Sequence, residues 1–117
     1  MQRLVLAAIA AFLFAGSAGA ADCSGTIASG GTAQSVFTSS NVRGLMVMNN
    51  SANLMCVAFN GASATIAGTN CGSGSWTLQP GSATVAGGSF NNPANLVFSA
   101  MSIISSTTGD RYSCERQ

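Results

Sequence analysis

Downstream of Ala21 every apolar run in the sequence is short and is closed by glycine, serine, asparagine or proline, and no stretch repeats apolar residues at i, i+3, i+4 and i+7. A helix that buries one side needs such a stripe over about eleven residues or more, so helix is not expected anywhere after Ala21. The runs are rich in Val, Ile, Thr, Phe and Met, which suit a pleated surface. They cover residues 32–37, 45–48, 54–59, 62–67, 76–79, 83–86, 96–104 and 111–115. Between them stand turn formers: residues 49–53, Asn60-Gly61, Pro80-Gly81, Gly87-Gly88, Asn91-Asn92-Pro93 and Thr108-Gly109-Asp110. Asn60-Gly61 is the sharpest of these, because a two-residue type I′ hairpin needs positive φ at both positions and these two residues tolerate it best. Strands at this spacing predict an all-β fold, an antiparallel β-sandwich or jelly roll of about seven to nine short strands.

Runs 45–48 and 54–59 carry apolar residues on both faces and are expected at the centre of their sheets. In 76–79, Trp76 and Leu78 oppose Thr77 and Gln79, and in 111–115, Tyr112 and Cys114 oppose Arg111, Ser113 and Glu115, so each has one wet face. Ser63-Ala64-Thr65-Ile66-Ala67-Gly68 is echoed by Ser82-Ala83-Thr84-Val85-Ala86-Gly87. Two copies do not make a solenoid, and the echo is read as two similar strands ending in glycine.

The first 20 residues have the form of a cleavable export signal. Arg3 supplies a positive charge, residues 4–15 an apolar core, and Ala18-Gly19-Ala20 the small-x-small site, with cleavage expected before Ala21. The apolar core is shorter than the roughly 20 residues that span a bilayer, and Asp22 stands before Cys23 where lipoprotein processing wants a small residue. Residues 21–117 are therefore expected to form one exported domain, periplasmic or extracellular, with no membrane attachment after cleavage.

Export gives the four cysteines their meaning, since an even number in a short exported chain implies oxidised pairs. Zinc is disfavoured: no two cysteines have knuckle spacing and the chain has no histidine. Of three possible connectivities, Cys23–Cys114 with Cys56–Cys71 is favoured. The first pair sits near the two chain ends, which tend to lie close together in a single domain, and the second brackets the predicted hairpin.

Charge is sparse. Beyond Arg3 it is confined to Asp22, Arg43, Asp110, Arg111, Glu115 and Arg116, which sum to zero. Three arginines without lysine cannot form the basic stripe that nucleic acid requires. Cys71-Gly72-Ser73-Gly74-Ser75-Trp76 superficially resembles the nucleophile segment of papain-like proteases, but Gly74 replaces the second cysteine and no histidine can take the proton. Serine nucleophiles lack a base for the same reason. Glycosidase chemistry wants two carboxyl groups about 5 to 10 Å apart across a cleft, whereas Asp110 and Glu115 belong to one turn-and-strand segment. Arg111 and Glu115 are read as a surface pair or as solvated side chains. Gly30-Gly31 and Gly87-Gly88 precede no helix, so neither makes a phosphate cradle. No catalytic residue, metal ligand or cofactor is expected, and binding or assembly is left as the work of the domain.

Candidate contacts are Trp76 and Tyr112, whose rings could hold a sugar if exposed, together with Asn50 and Asn53 in the 49–53 loop and Ser73 in the 68–75 loop. Core packing is the expectation for both rings, because a small sandwich needs most of its aromatics inside. Asn49-Asn50-Ser51 matches the glycosylation acceptor pattern but reads more simply as a turn.

The stretch from Cys23-Ser24-Gly25-Thr26-Ile27 through Gln34-Ser35-Val36-Phe37 resembles the opening of small β-sandwich modules of bacteriophage tail and other virion-associated proteins. Asn41-Val42-Arg43-Gly44-Leu45-Met46-Val47-Met48-Asn49-Asn50-Ser51 is similar to their strand with an Arg-Gly entry and asparagine exit, Leu78-Gln79-Pro80-Gly81 to their mid-domain turn, and Ala100-Met101-Ser102-Ile103-Ile104-Ser105-Ser106-Thr107-Thr108-Gly109 to their penultimate strand and turn. The resemblance spans nearly all of residues 21–117 and brings no catalytic residue. The export signal and cysteines depart from that pattern and imply an exported, stapled relative with a structural or adhesive role. The leading expectation is a non-catalytic module that binds a surface glycan or protein partner through a neutral polar face. The alternatives are a pilus-like or surface-assembly subunit, which would use a donated strand, and a small secreted inhibitor presenting the 68–75 loop.

Overall fold

Two antiparallel sheets face each other and share one core between their inner faces. The computed structural model describes residues 21–38, 42–82, 84–92 and 97–117; the export signal expected over 1–20 lies outside them. Strands are numbered in chain order. In the first sheet β1 (Ala21–Asp22) and β2 (Gly25–Thr26) both pair with β13 (Arg111–Arg116), which pairs in turn with β5 (Met46–Asn49) and, beyond it, β10 (Ser89–Asn91). The second runs β3 (Gln34–Phe37), β12 (Met101–Ser105), β6 (Met55–Phe59), β9 (Trp76–Leu78). Two ribbons complete the fold, β4 (Val42–Arg43) with β11 (Val97–Phe98) and β7 (Ile66–Ala67) with β8 (Asn70–Cys71). All described secondary structure is β, in 13 segments rather than seven to nine, because short ribbons supplement the two main sheets.

β5 and β6 are the strands with apolar residues on both faces, and both are central in their sheets. Val47 on β5 pairs with Cys114 on β13, Val57 on β6 with Ile103 on β12, and these side chains fill the core with Leu45, Met55, Leu78, Met101 and Tyr112. On β13 the alternation holds: Tyr112 and Cys114 are buried, while Arg111, Ser113 and Glu115 are exposed.

The outer face of β6 is also covered. Cys56 and Ala58 form a second cluster with Ala64 and Ile104, against which Leu54, Ile66 and Cys71 pack. Such small residues let the chain from Ala62 to Cys71 lie close over the sheet as a partial third layer. Ser102 on β12 holds it there, its hydroxyl accepting the Ala64 N–H at 2.6 Å and donating to the Ala62 carbonyl at 3.0 Å. The Cys56–Cys71 disulfide pins the far end, and Cys23–Cys114 joins the chain just after β1 to β13. Both favoured pairings are thus present, and they suit an oxidising environment.

Several strand expectations are corrected. Asn60 and Gly61 do adopt positive φ, 59° and 87°. The run after them does not return as a hairpin partner of β6, because β6 already has β12 and β9 on its two sides. Only Ile66–Ala67 of 62–67 is strand, and its hairpin partner is β8. Residues 84–86 are not strand either: Ser82 Oγ accepts the Thr84 and Val85 N–H groups at 3.3 and 3.1 Å, curling the segment into a turn. The echo in sequence therefore folds in two ways, with Gly68 in the left-handed region and Gly87 packed tightly on the Asn49 carbonyl. The 96–104 run breaks between β11 and β12, where Asn60 Oδ1 accepts the Ser99 N–H at 3.1 Å. In 32–37 the strand starts only at Gln34, since Thr32 closes a turn onto the Ser29 carbonyl at 3.2 Å.

Candidate binding face

Between Arg43 and Asp110 the sequence contains no Asp, Glu, Lys, Arg, His or Tyr, so its only titratable side chains there are two cysteines bonded to each other. The fold turns that stretch into a surface. β6, β9 and β12, the strap over them and β10 all lie within it, and β3 adds no charge. All charged side chains of the described residues fall on β1, β4, β13 and the turn before β13.

At one edge of the sandwich this uncharged region gathers four aromatic rings. Phe59 on β6 stacks on Phe98 of β11 with centroids 4.4 Å apart, Phe90 on β10 lies 4.8 Å from Phe59, and Trp76 on β9 stands 5.7 Å from Phe90. The three phenylalanines are half-buried and pack against the main core, whereas Trp76 is 59 % exposed. Core packing, expected for Trp76, is corrected here. Its side chain shares the inner face with Val57, its partner across the β6–β9 pair. But β9 is an edge strand, and among the described residues the one ring against the indole is that of Phe90. At the other end Leu78 is closed in, with Gly88 N–H donating to the Gln79 carbonyl at 2.8 Å and the Asn49 amide donating to the Leu78 carbonyl at 3.0 Å.

The other sequence candidates have different fates. Tyr112 is buried, as expected of a core ring, and burial pushes its hydroxyl above the ordinary value of 10.0 against the opposing pull of a hydrogen bond to Gln34. Asn53 gives its side-chain amide to Asp110 at 3.0 Å and its carbonyl accepts from Asn49 Nδ2 at 2.7 Å, so it braces the loop. Asn50 is exposed on the first sheet, where its amide donates to Ser113 Oγ. Ser73 is exposed in the turn between β8 and β9, on the uncharged side with Trp76. Trp76 and Ser73 thus share the uncharged region, while Asn50 and Tyr112 belong to the charged sheet. Asn49 of the acceptor pattern is fully buried, with five hydrogen bonds to its side chain, and serves as the turn.

The first sheet leaves its outer face open. A shallow groove there is lined by Met46, Met48, Asp22 and Glu115, the last two directly opposite across β1 and β13. The Asp22 carboxyl is held below its usual value by hydrogen bonds from the Ser24 side chain and backbone, the latter at 2.8 Å. Among the described residues no three His, Cys, Asp or Glu side chains come together to hold a metal ion.

No family model, curated protein or solved structure matches this chain. The aromatic array was missed in the sequence because its rings come from four strands. The signal that could have found the face was the charge-free interval itself.

Proposed function

We propose that the chain is an exported, non-catalytic module, acting at the cell surface or in the periplasm, that binds a neutral glycan or protein partner through its uncharged face. The observation that carries this reading is the coincidence of the charge-free layer with the exposed indole of Trp76. The ring is left on the surface because β9 is an edge strand, and an exposed aromatic backed by further rings is of the kind enriched in contact surfaces. The export signal read in residues 1–20 and the two disulfides support the compartment. Kinship with virion-associated sandwich modules is part of the same reading, with adhesion as the shared task.

The test is retention of the oxidised 21–117 protein on arrays of neutral glycans and of surface proteins at low and moderate salt. Retention that survives the change in salt is expected, because an uncharged face owes nothing to screened attraction. Binding that collapses with salt, or hydrolytic turnover by the purified protein, overturns the reading.

A further inference from the structure

We infer that the Trp76 edge is a stacking platform for the flat face of a neutral, β-linked pyranose polymer whose rings carry their hydroxyls equatorially. The inference rests on the binding-module reading above and names its ligand class. A sugar of this configuration presents only axial C–H bonds on each ring face, an apolar surface that fits an aromatic ring and needs no charge on the protein. The indole is built for such a contact. It is more than half exposed, it is backed by Phe90 at 5.7 Å, and Phe90 is wedged in turn against Phe59, which stacks on Phe98. Because those three rings are anchored in the core, the platform is held in place before the ligand arrives, which limits the ordering cost of binding.

Shape selects a polymer over a small molecule. Trp76 stands open at a strand edge and is no part of the groove on the first sheet, so among the described residues it offers a flat contact rather than an enclosing one. One open ring gives weak contact with a short oligosaccharide, and useful retention requires a chain or surface that offers many equivalent sites. Charge points the same way, since the strands that carry Trp76, Phe90 and Phe59 hold no charged side chain, and Arg43 is confined to the β4–β11 ribbon beyond them.

Trp76 is the only tryptophan, so intrinsic fluorescence reports on this ring alone. The oxidised 21–117 protein is titrated with cellohexaose and chitohexaose, and its retention on insoluble cellulose and chitin is measured alongside W76A and W76Y. The expected result is a blue shift or quench of the indole emission with both sugars. Retention should fall at least roughly tenfold in W76A and recover in part in W76Y, with both disulfides intact in each variant. Retention that W76A leaves unchanged overturns the platform while the binding-module reading stands. A parent protein retained by no neutral polysaccharide but captured by a defined surface protein overturns the glycan class alone. An emission shift that follows protein concentration without added sugar assigns the edge to a second copy of this chain and overturns the inference. Retention that salt abolishes overturns both readings.

Discussion

Asn53 donates its side-chain amide to Asp110 across 3.0 Å, tying the turn between β5 and β6 to the turn that enters β13. The second carboxylate oxygen of Asp110 accepts the Ser105 hydroxyl, and the group is buried between them. Asp110→Ala removes both acceptors at once and should cost about 1–3 kcal/mol, the usual penalty for leaving buried donors unpaired. Asp110→Asn keeps an acceptor oxygen and should cost less. Urea unfolding of the two variants checks the order, and no loss in either would mean that the carboxylate braces nothing.

Tyr112 sets a limit at high pH. Burial raises its pKa above 10.0 in the folded protein, so the folded state keeps the proton longer than the unfolded chain does. The associated stability is present below pH 10.0 and is lost as pH rises through the folded value. As the only tyrosine, it can be followed by near-ultraviolet absorbance. The midpoint should lie above 10.0, and stability should decline over the same interval.

The two disulfides should fail differently. In the chain-entropy description the short Cys56–Cys71 loop is worth roughly 3 kcal/mol and the long Cys23–Cys114 loop nearly 5. Replacing Cys56 and Cys71 together with alanine should leave the first sheet protected from hydrogen exchange while amides in the strap from Ala64 to Gly72 exchange faster. Peptide mapping without reductant should recover the two native linkages and no free thiol; a Cys23–Cys71 link would contradict the fold.

Gly87 is a steric position. Its φ is unremarkable, but an added Cβ would collide with the Asn49 carbonyl. Gly87→Ala should destabilise by about 1–3 kcal/mol, as overpacking generally does, with calorimetry as the measurement.

Trp76→Ala should cost little stability, within about 1 kcal/mol, against the 3–5 kcal/mol typical of a buried aromatic. A larger loss would mean that the ring is closed in by the fold.

What the sequence revealed and what it hid follow from how each element is stabilised. β13 is written in local alternation and β5 and β6 in continuous apolar runs, since the first has one wet face and the other two are central in their sheets, and the cysteine pairs follow from position. The strap from Ala62 onward was not legible, since what holds it is the hydroxyl of Ser102 on a strand far along the chain. The turn at Thr84 and Val85 likewise depends on one hydroxyl, that of Ser82. Trp76 shows the remaining limit. Alternation told which face it shares with Leu78, but not that β9 would be an edge, and the edge is what exposes the ring.

The Cys23–Cys114 bridge brings two strands from opposite ends of the described chain to a Cα separation of 4.7 Å. Outside it the partners are few: Ala21 pairs with Arg116 and Asp22 with Glu115, Glu115 also faces Met46 on β5, and Gln117 exchanges two backbone hydrogen bonds with Arg43. If the molecule is pulled at residues 21 and 117, those pairs can peel apart, and tension then runs through a covalent bond while the enclosed chain feels none of it. A domain wired in this way passes a pull along without unravelling under it.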